Sequence, residues 1–367
     1  MKIFFDQDVF ENQKFGGISR YIVELHRAIN SYALAESYLC APFCENEYLS
    51  SISRKDGVIS GPNILSVLPL GKRRMRDLIL DMNCISVRPD VLHTTYYLRH
   101  RRPPLARSLV VTVHDMTHEL FPEHFSQPEI LSEKKRRAVF SADHVICISE
   151  KTKEDLQSIF GLPESKCTVV HHGITQLPMP STLPKALSDR PYILYVGQRR
   201  GYKNFSALVH AFSCRRRLNN ELRIICCGGG RISADERYEI QEAGISMESV
   251  VQISGDDALL SSLYASAKAI VYPSRYEGFG MPILEAFNSR CPIIALPVGA
   301  IPEIGGNAIR YVEEDTPEAW ADAIEAVVLD DDEANRLRIL GESRAKHFNW
   351  KRCAEETCKV YGMLKGQ

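Results

Sequence analysis

The sequence predicts an α/β protein built from two successive Rossmann-like units, each a parallel sheet wrapped by helices. Short apolar runs of strand length alternate with amphipathic stretches of helix length along all 367 residues. That alternation breaks once, over 175–191, where TQLPMPSTLPKALSDRP carries four prolines and no clean period. The length exceeds one ordinary domain, and each half is long enough to bury its own core. The expected division is a first unit over 1–176, a second over 190–346, and a last helix over 347–367 that crosses back to brace the first.

In the first half, KIFF reads as a strand, followed by a Gly-Gly turn and the helix ISRYIVELHRAIN. VLHTT and SLVVTVHD are short apolar runs, typical of parallel strands buried on both faces. EILSEKKRRAVFSA is an amphipathic helix leading into the strand HVICIS. Ser149 is placed to cap the next helix, EKTKEDLQSIF, and CTVVHHG is a further strand. In the second half YILYVG, LRIICCGGG, VVQISG, AIVYPS and PIIALP read as strands. The helices between them are NFSALVHAFSC, DERYEIQEAG, ALLSSLYASA and PILEAFNS. Three helices close the chain: TPEAWADAIEAVVLD, DDEANRLRILGESRAK and NWKRCAEETCKVYGML. The last presents Trp350, Cys353, Cys358, Val360 and Tyr361 as its candidate buried face.

Composition narrows the function classes. Apolar residues make up 44% and charged residues 25%, as in globular proteins, and the net charge of −1 gives no bulk attraction to nucleic acid. Eleven cysteines form no C-x-x-C pair, and several lie inside strand-like runs, which points to reduced thiols in a cytoplasmic protein. No signal peptide is evident, and no apolar stretch nears the roughly 20 residues of a membrane span. No metal is expected, because ligand spacing is absent. Charge is uneven, however. Between Arg54 and Val110, 11 Lys/Arg stand against 4 Asp/Glu, centred on GKRRMR and RHRRPPLAR. This is either a solvated face or a peripheral contact with an anionic membrane, and the apolar positions Met75, Leu78, Ile79 and Met82 recur beside it at helical spacing.

The chemistry concentrates at strand ends. In VYPSRYEGFGMPILEAF a strand gives way to a helix near Pro282, a favoured first-turn proline. Gly278 and Gly280 let backbone approach a ligand, the amides through Phe279 and Met281 suit an anion, and Glu277 and Glu285 can face one cavity. Carboxylates accept several hydrogen bonds each, which suits vicinal sugar hydroxyls. After the first strand of the same half, GQRRGYKNF clusters Arg199, Arg200 and Lys203, cations suited to a diphosphate. CCGGG, with Gly228, would let a base or ribose lie against backbone. In the first half, Gly16 and Gly17 open a helix, and His114 and Asp115 close a buried strand on the rim where α/β folds carry ligands. No G-x-G-x-x-G follows the first strand of either half, which disfavours a dinucleotide dehydrogenase.

Taken together, EGFGMPILE, a Glu-x7-Glu, with the Gly-Lys-Asn segment, the Gly-rich strand end and the first-half Gly-Gly resembles the retaining glycosyltransferases of family 4, across almost the whole chain and in the expected order. The resemblance implies the GT-B fold, two Rossmann-like domains facing a central cleft. It implies a nucleoside-diphosphate sugar as donor and a glycan or polyprenyl-linked glycan as acceptor, with no cofactor. GQRRGYKNF looks most like the mannosyl- and rhamnosyltransferases of bacterial surface polysaccharides, so GDP-mannose is the expected donor and the inner face of the cytoplasmic membrane the expected place of work. By resemblance Glu277 contacts the transferred sugar, Glu285 the nucleotide ribose, Lys203 the phosphates and His114 the sugar. Two positions depart from the family. Tyr202 stands where arginine often precedes the lysine, leaving Arg199 or Arg200 to replace it, and His172 stands where Asn is commoner before Gly173.

Overall fold

The computed structural model describes residues 1–14, 16–41, 46–52, 57–59, 72–97 and 106–365, with side chains for all of these except 12, 50, 51, 59 and 72–77. The described chain divides into two compact units, residues 1–173 with 349–367, and residues 174–348.

The first unit is a seven-stranded sheet in the order β3-β2-β1-β4-β5-β6-β7, with all pairs parallel. Its strands are β1 (Lys2–Phe5), β2 (Glu36–Cys40), β3 (Val58–Ile59), β4 (Val91–Thr94), β5 (Ser108–Val113), β6 (His144–Cys147) and β7 (Cys167–Val169). Every residue of β4 and β5 is buried, which is why their sequences show no apolar–polar alternation. Ser149 caps the Glu150–Phe160 helix, accepting from the Thr152 amide at 3.0 Å, and Gly161 ends that helix in the left-handed region at φ 67°.

The Trp350–Lys365 helix belongs to this first unit. Cys353, Ala354, Thr357, Val360 and Tyr361 form its buried stripe, and it packs on the Gly17–Ser31 helix. Trp350 and Cys358, expected in the stripe, are only half-buried. Where the helix begins, a Cβ on Gly173 would stand 2.4 Å from the Trp350 nitrogen, so only glycine fits there.

The second unit is a six-stranded parallel sheet in the order β10-β9-β8-β11-β12-β13. Its strands are β8 (Tyr192–Val196), β9 (Arg223–Cys227), β10 (Val250–Ile253), β11 (Ala269–Tyr272), β12 (Ile293–Ala295) and β13 (Arg310–Tyr311). Trp320, Phe205, Phe212 and Tyr195 anchor its main core. Full burial of such a side chain stabilises the fold by about 1.5–3 kcal/mol. A capping box, Ser233 with Glu236, starts the Ala234–Glu242 helix.

In both units the strand order reverses beside the first strand, between β1 and β4 and between β8 and β11. The carboxyl ends of the strands flanking such a reversal splay their connections apart and leave a crevice. The basic centres of the first half lie largely outside the described residues: Arg54, Lys55, Arg99, Arg101 and Arg102, and the side chains of Lys72, Arg73, Arg74, Met75 and Arg76. The Lys72–Val87 helix itself is described. It buries Leu80 and Cys84, half-buries Ile79 and exposes Leu78, Met82 and Ile85, which are 55%, 60% and 50% accessible. Among the described residues no helix is long and apolar enough to cross a membrane.

Candidate functional site

The reversal in the second unit is bounded by the turn after β8 and the loop after β11. The first turn passes Gly197, at φ 116°, Arg199 and Arg200, tightens into a 3-10 turn over Gly201–Lys203, and starts the Phe205–Cys214 helix from Asn204. The second passes Tyr276, Glu277 and Gly278 to Gly280, whose φ of 97° favours glycine, before the Met281–Asn288 helix with Pro282 in its first turn. These two segments are tied together. The Arg275 amide donates to the Tyr202 carbonyl at 2.8 Å, and Asp315 accepts from Asn204 Nδ2, Arg275 Nε and Trp320 Nε1 at 3.1, 2.9 and 2.9 Å.

Across this joint Lys203 Nζ donates to Glu277 Oε1 at 2.6 Å, with side chains 21% and 11% exposed. The Lys203 ammonium also lies 5.2 Å from the Tyr202 ring centroid and 5.8 Å from that of Tyr272. Burial first, and then the Glu277 charge and hydrogen bond, push the Tyr272 phenol well up, so it stays a proton donor to the carboxylate. Glu285 is buried one turn into the helix and accepts from Tyr264 Oη at 3.1 Å. The Tyr264 phenol is likewise pushed up, by burial and then by Glu285. The two carboxylates thus have separate tyrosine partners. Gly299 is a further requirement, because its Cβ would stand 2.7 Å from the Glu277 backbone nitrogen and oxygen.

The two arginines separate. Arg199 is not a free cation at the strand end. Its Nε donates to Glu236 Oε1 at 2.9 Å, and its guanidinium reaches the carbonyls of Gly228 and Gly230 at 3.0 and 2.9 Å. It is a staple for the Gly-rich turn, with its side chain 1% exposed, so of the two only Arg200, which is exposed, leaves a guanidinium open to an incoming anion. Gly228, Gly229 and Gly230 all have φ between 72° and 85°, and Gly229 is the tightest, its Cβ falling 2.6 Å from the Gly197 carbonyl. The Phe279 side chain turns into the core, edge-on to Phe348 at 6.0 Å, so only its backbone belongs to the loop.

In the first unit, Gly16 caps and Gly17 opens the Gly17–Ser31 helix on the rim after β1. Neither has a left-handed φ. A Cβ at Gly17 would meet nothing within 4 Å, and one at Gly16 would press first on the end of the Gln13 side chain. The reversal itself is held by Asp6, fully buried, whose Oδ1 accepts from the Thr95 and Asp8 amides at 3.0 and 3.2 Å. His114 leaves the end of β5 and is 8% exposed. Its ring stands edge-on to Tyr21 at 5.2 Å and 5.8 Å from that of His172, which stacks on Tyr21 at 4.4 Å. Burial, helped by Lys135 and opposed by Asp115, pulls the His114 pKa down to about 4. The imidazole is therefore neutral and able to donate one hydrogen bond and accept another. Asp115 turns to its own loop, accepting from the Thr117 amide and hydroxyl at 3.1 and 2.7 Å. Among the described residues no group of three or more His, Cys, Asp or Glu could hold a metal ion.

Sequence reasoning did not single out Asp315, Tyr264, Tyr272, Gly299 or Asp6. Only Asp6 left a local signal, an acid directly after a strand.

Two family descriptions match the chain, Glycosyltransferase Family 4 over residues 15–175 and Glycosyl transferases group 1 over residues 184–344. The chain is 26% identical to O-antigen chain mannosyltransferase B of Escherichia coli over 283 residues, 73% of each chain. It is 24% identical to O-antigen chain mannosyltransferase RfbU of Salmonella typhimurium, over 85% of this chain and 87% of that one. A D-inositol 3-phosphate glycosyltransferase of Xylanimonas cellulosilytica is 27% identical over 74% and 71%. Among solved structures, sucrose-phosphate synthase of Thermosynechococcus elongatus superposes with a TM-score of 0.77 at 21% identity, covering 99% of this chain and 98% of that one. Anabaena HepE in complex with UDP-glucose gives 0.74 at 17%, covering 99% of both. These likenesses show the GT-B fold.

Proposed function

Since the chain belongs to the glycosyltransferases, its two halves matching the family 4 and group 1 domains in turn, we propose that it moves a hexose from a nucleoside-diphosphate sugar to a hydroxyl of a glycan or lipid-linked glycan, with retention, in surface polysaccharide synthesis. The observation that carries this is the Lys203–Glu277 pair at the strand reversal of the second unit. A lysine beside a glycine-rich helix start suits a diphosphate, and a carboxylate in the same contact suits sugar hydroxyls.

Placement supports the following roles. Lys203 and Arg200 neutralise the phosphates, and the first-turn amides of the Met281–Asn288 helix meet charge that grows as the sugar–phosphate bond breaks. Glu277 orients the transferred sugar, and Glu285, held by Tyr264, accepts from the ribose. His114, neutral, donates to a sugar hydroxyl. The leaving phosphate oxygen takes the acceptor proton on the same face, so no dedicated base is needed, and the cationic side chains stand in for a metal. Glu277 and Glu285 have different tyrosine partners, which supports separate roles rather than the paired carboxylates of a hydrolytic enzyme. Mannose from GDP-mannose is the donor we favour, because both O-antigen relatives are mannosyltransferases. The exposed Leu78, Met82 and Ile85, on a helix whose sequence opens KRRMR, support peripheral contact with an anionic membrane where such an acceptor resides.

Turnover of GDP-, UDP- and dTDP-sugars by the isolated protein, with and without a polyprenyl-linked glycan, tests the reading. Sugar transfer that requires the acceptor supports it. Donor hydrolysis or epimerisation without acceptor would make it a nucleotide-sugar epimerase or hydrolase, and binding without turnover a non-catalytic sensor.

A further inference from the structure

An unusual cation supports the turn after β5. Lys135, in the Pro128–Ser141 helix, has a side chain only 1% exposed. A buried ammonium is costly unless fully partnered. Its Nζ donates to Glu119 Oε2 at 2.6 Å and to the Asp115 carbonyl at 2.9 Å, and lies 5.6 Å from the Tyr97 ring centroid. The Tyr97 hydroxyl accepts the His114 amide at 3.2 Å. Backbone groups of two successive residues, the N–H of His114 and the C=O of Asp115, are thus held by the two members of one cation–π contact. The ammonium has three N–H donors to satisfy, and one of the acceptors it takes is a carbonyl of this turn.

We propose that Lys135 is a positioning residue for His114: with Tyr97 it clamps the His114–Asp115 turn and so fixes the imidazole at the rim of the first sheet. Its catalytic consequence rests on the reading that His114 contacts the transferred sugar. The clamp has an electrostatic side as well. Among the described residues the titratable groups around His114 are Tyr21 from the Gly17–Ser31 helix, His93 from β4, Tyr97 after β4, His172 after β7, and Asp115 and Lys135. Burial does most to keep the imidazole neutral; Asp115 favours the imidazolium, and the Lys135 ammonium adds to burial in opposing it.

The test pairs Lys135→Met with Glu119→Gln, so that no carboxylate is left buried and unpaired. Tyr97→Phe, which removes the acceptor of the His114 amide without touching the ion pair, is the independent second variant. NMR titration of His114 and steady-state kinetics are read on the full chain. The double variant is expected to raise the His114 pKa toward the ordinary 6.5 and to lower kcat by about 10²-fold with little change in donor KM. Tyr97→Phe should lower kcat in the same direction. A His114 titration that does not move in the folded double variant overturns the proposal, whatever the turnover. If it moves and kcat does not, His114→Ala decides: an inactive His114→Ala overturns the positioning role, and a fully active one overturns instead the sugar contact assigned to His114.

Discussion

Acidification from pH 7 to pH 5 should loosen the first unit and spare the second. His93 lies fully buried between β1 and β5, with Nδ1 2.6 Å from Tyr361 Oη and Nε2 2.8 Å from Thr112 Oγ1. Burial, with a smaller push from His114, lowers its pKa to about 3, and His114 itself stands at about 4. The unfolded chain binds protons on both from about pH 6.5 downward, while the folded chain does not until much lower pH. The unfolded state therefore holds more protons throughout this window, and stability falls as pH falls. Over two pH units each histidine removes about 2 kcal/mol, about 4 kcal/mol together. His172, lowered further by burial, acts in the same direction. The second unit contains only His210 and His347, both exposed. Hydrogen exchange followed peptide by peptide reads the two units separately. After correction for intrinsic rates, protection in β4 and β5 should fall by about 10³-fold, and that in β8 and β9 should hardly change. Equal losses in both units, or none in β4 and β5, would refute the assignment of neutral buried imidazoles.

Further outcomes follow from the second unit and the exposed helix. Glu277→Ala should lower turnover by about 2–4 kcal/mol of transition-state stabilisation while the thermal midpoint holds; near-normal turnover places the site elsewhere. Lys203→Ala should weaken calorimetric binding of the nucleoside diphosphate alone, and unchanged affinity would move that role to Arg200. Arg199→Ala leaves the Glu236 carboxylate without its buried partner, so it should cost about 3–5 kcal/mol of stability in denaturant unfolding. Finally, the protein should sediment with anionic vesicles at low salt, less so when Arg73, Arg74 and Arg76 are neutralised together, at about 1 kcal/mol per cation. Protein left in the supernatant would favour a soluble acceptor.

The sequence disclosed what local periodicity can encode. The short apolar runs of β4, β5, β8 and β11 announced parallel, doubly covered strands, and Ser149 announced its helix. β2 escaped because ESYLC mixes polar residues into a strand near the sheet edge, and β13 because two residues carry no period. Glu277, Lys203 and Glu285 stood out through glycine, proline and charge at strand ends. What joins them did not, because it is non-local. Arg199 looked like a phosphate cation until Glu236, 37 residues on, took it. The need for glycine at 173 and 299 had no local sign either, because Trp350 and the Glu277 backbone impose it. Strand order, which puts the β8 turn beside the β11 loop, is decided by the sheet and has no local signature.

The returning helix turns the second unit into an insertion. The chain leaves the first unit after Gly173 and re-enters it at Asn349, and the inserted segment closes on itself where the Ile174 amide donates to the Phe348 carbonyl at 3.2 Å. During synthesis the seven strands of the first sheet emerge early, yet the groove on the Gly17–Ser31 helix stays bare until residues 350–365 are made. The second unit, contiguous in sequence, has every segment it needs before that moment. The part made first is thus the part completed last, and the nascent chain must carry an uncovered apolar surface past the whole inserted unit. Ribosome-associated factors that shield such surfaces have their longest opportunity here. Moving the final helix to the amino terminus by circular permutation would bring its synthesis forward and shorten that exposure.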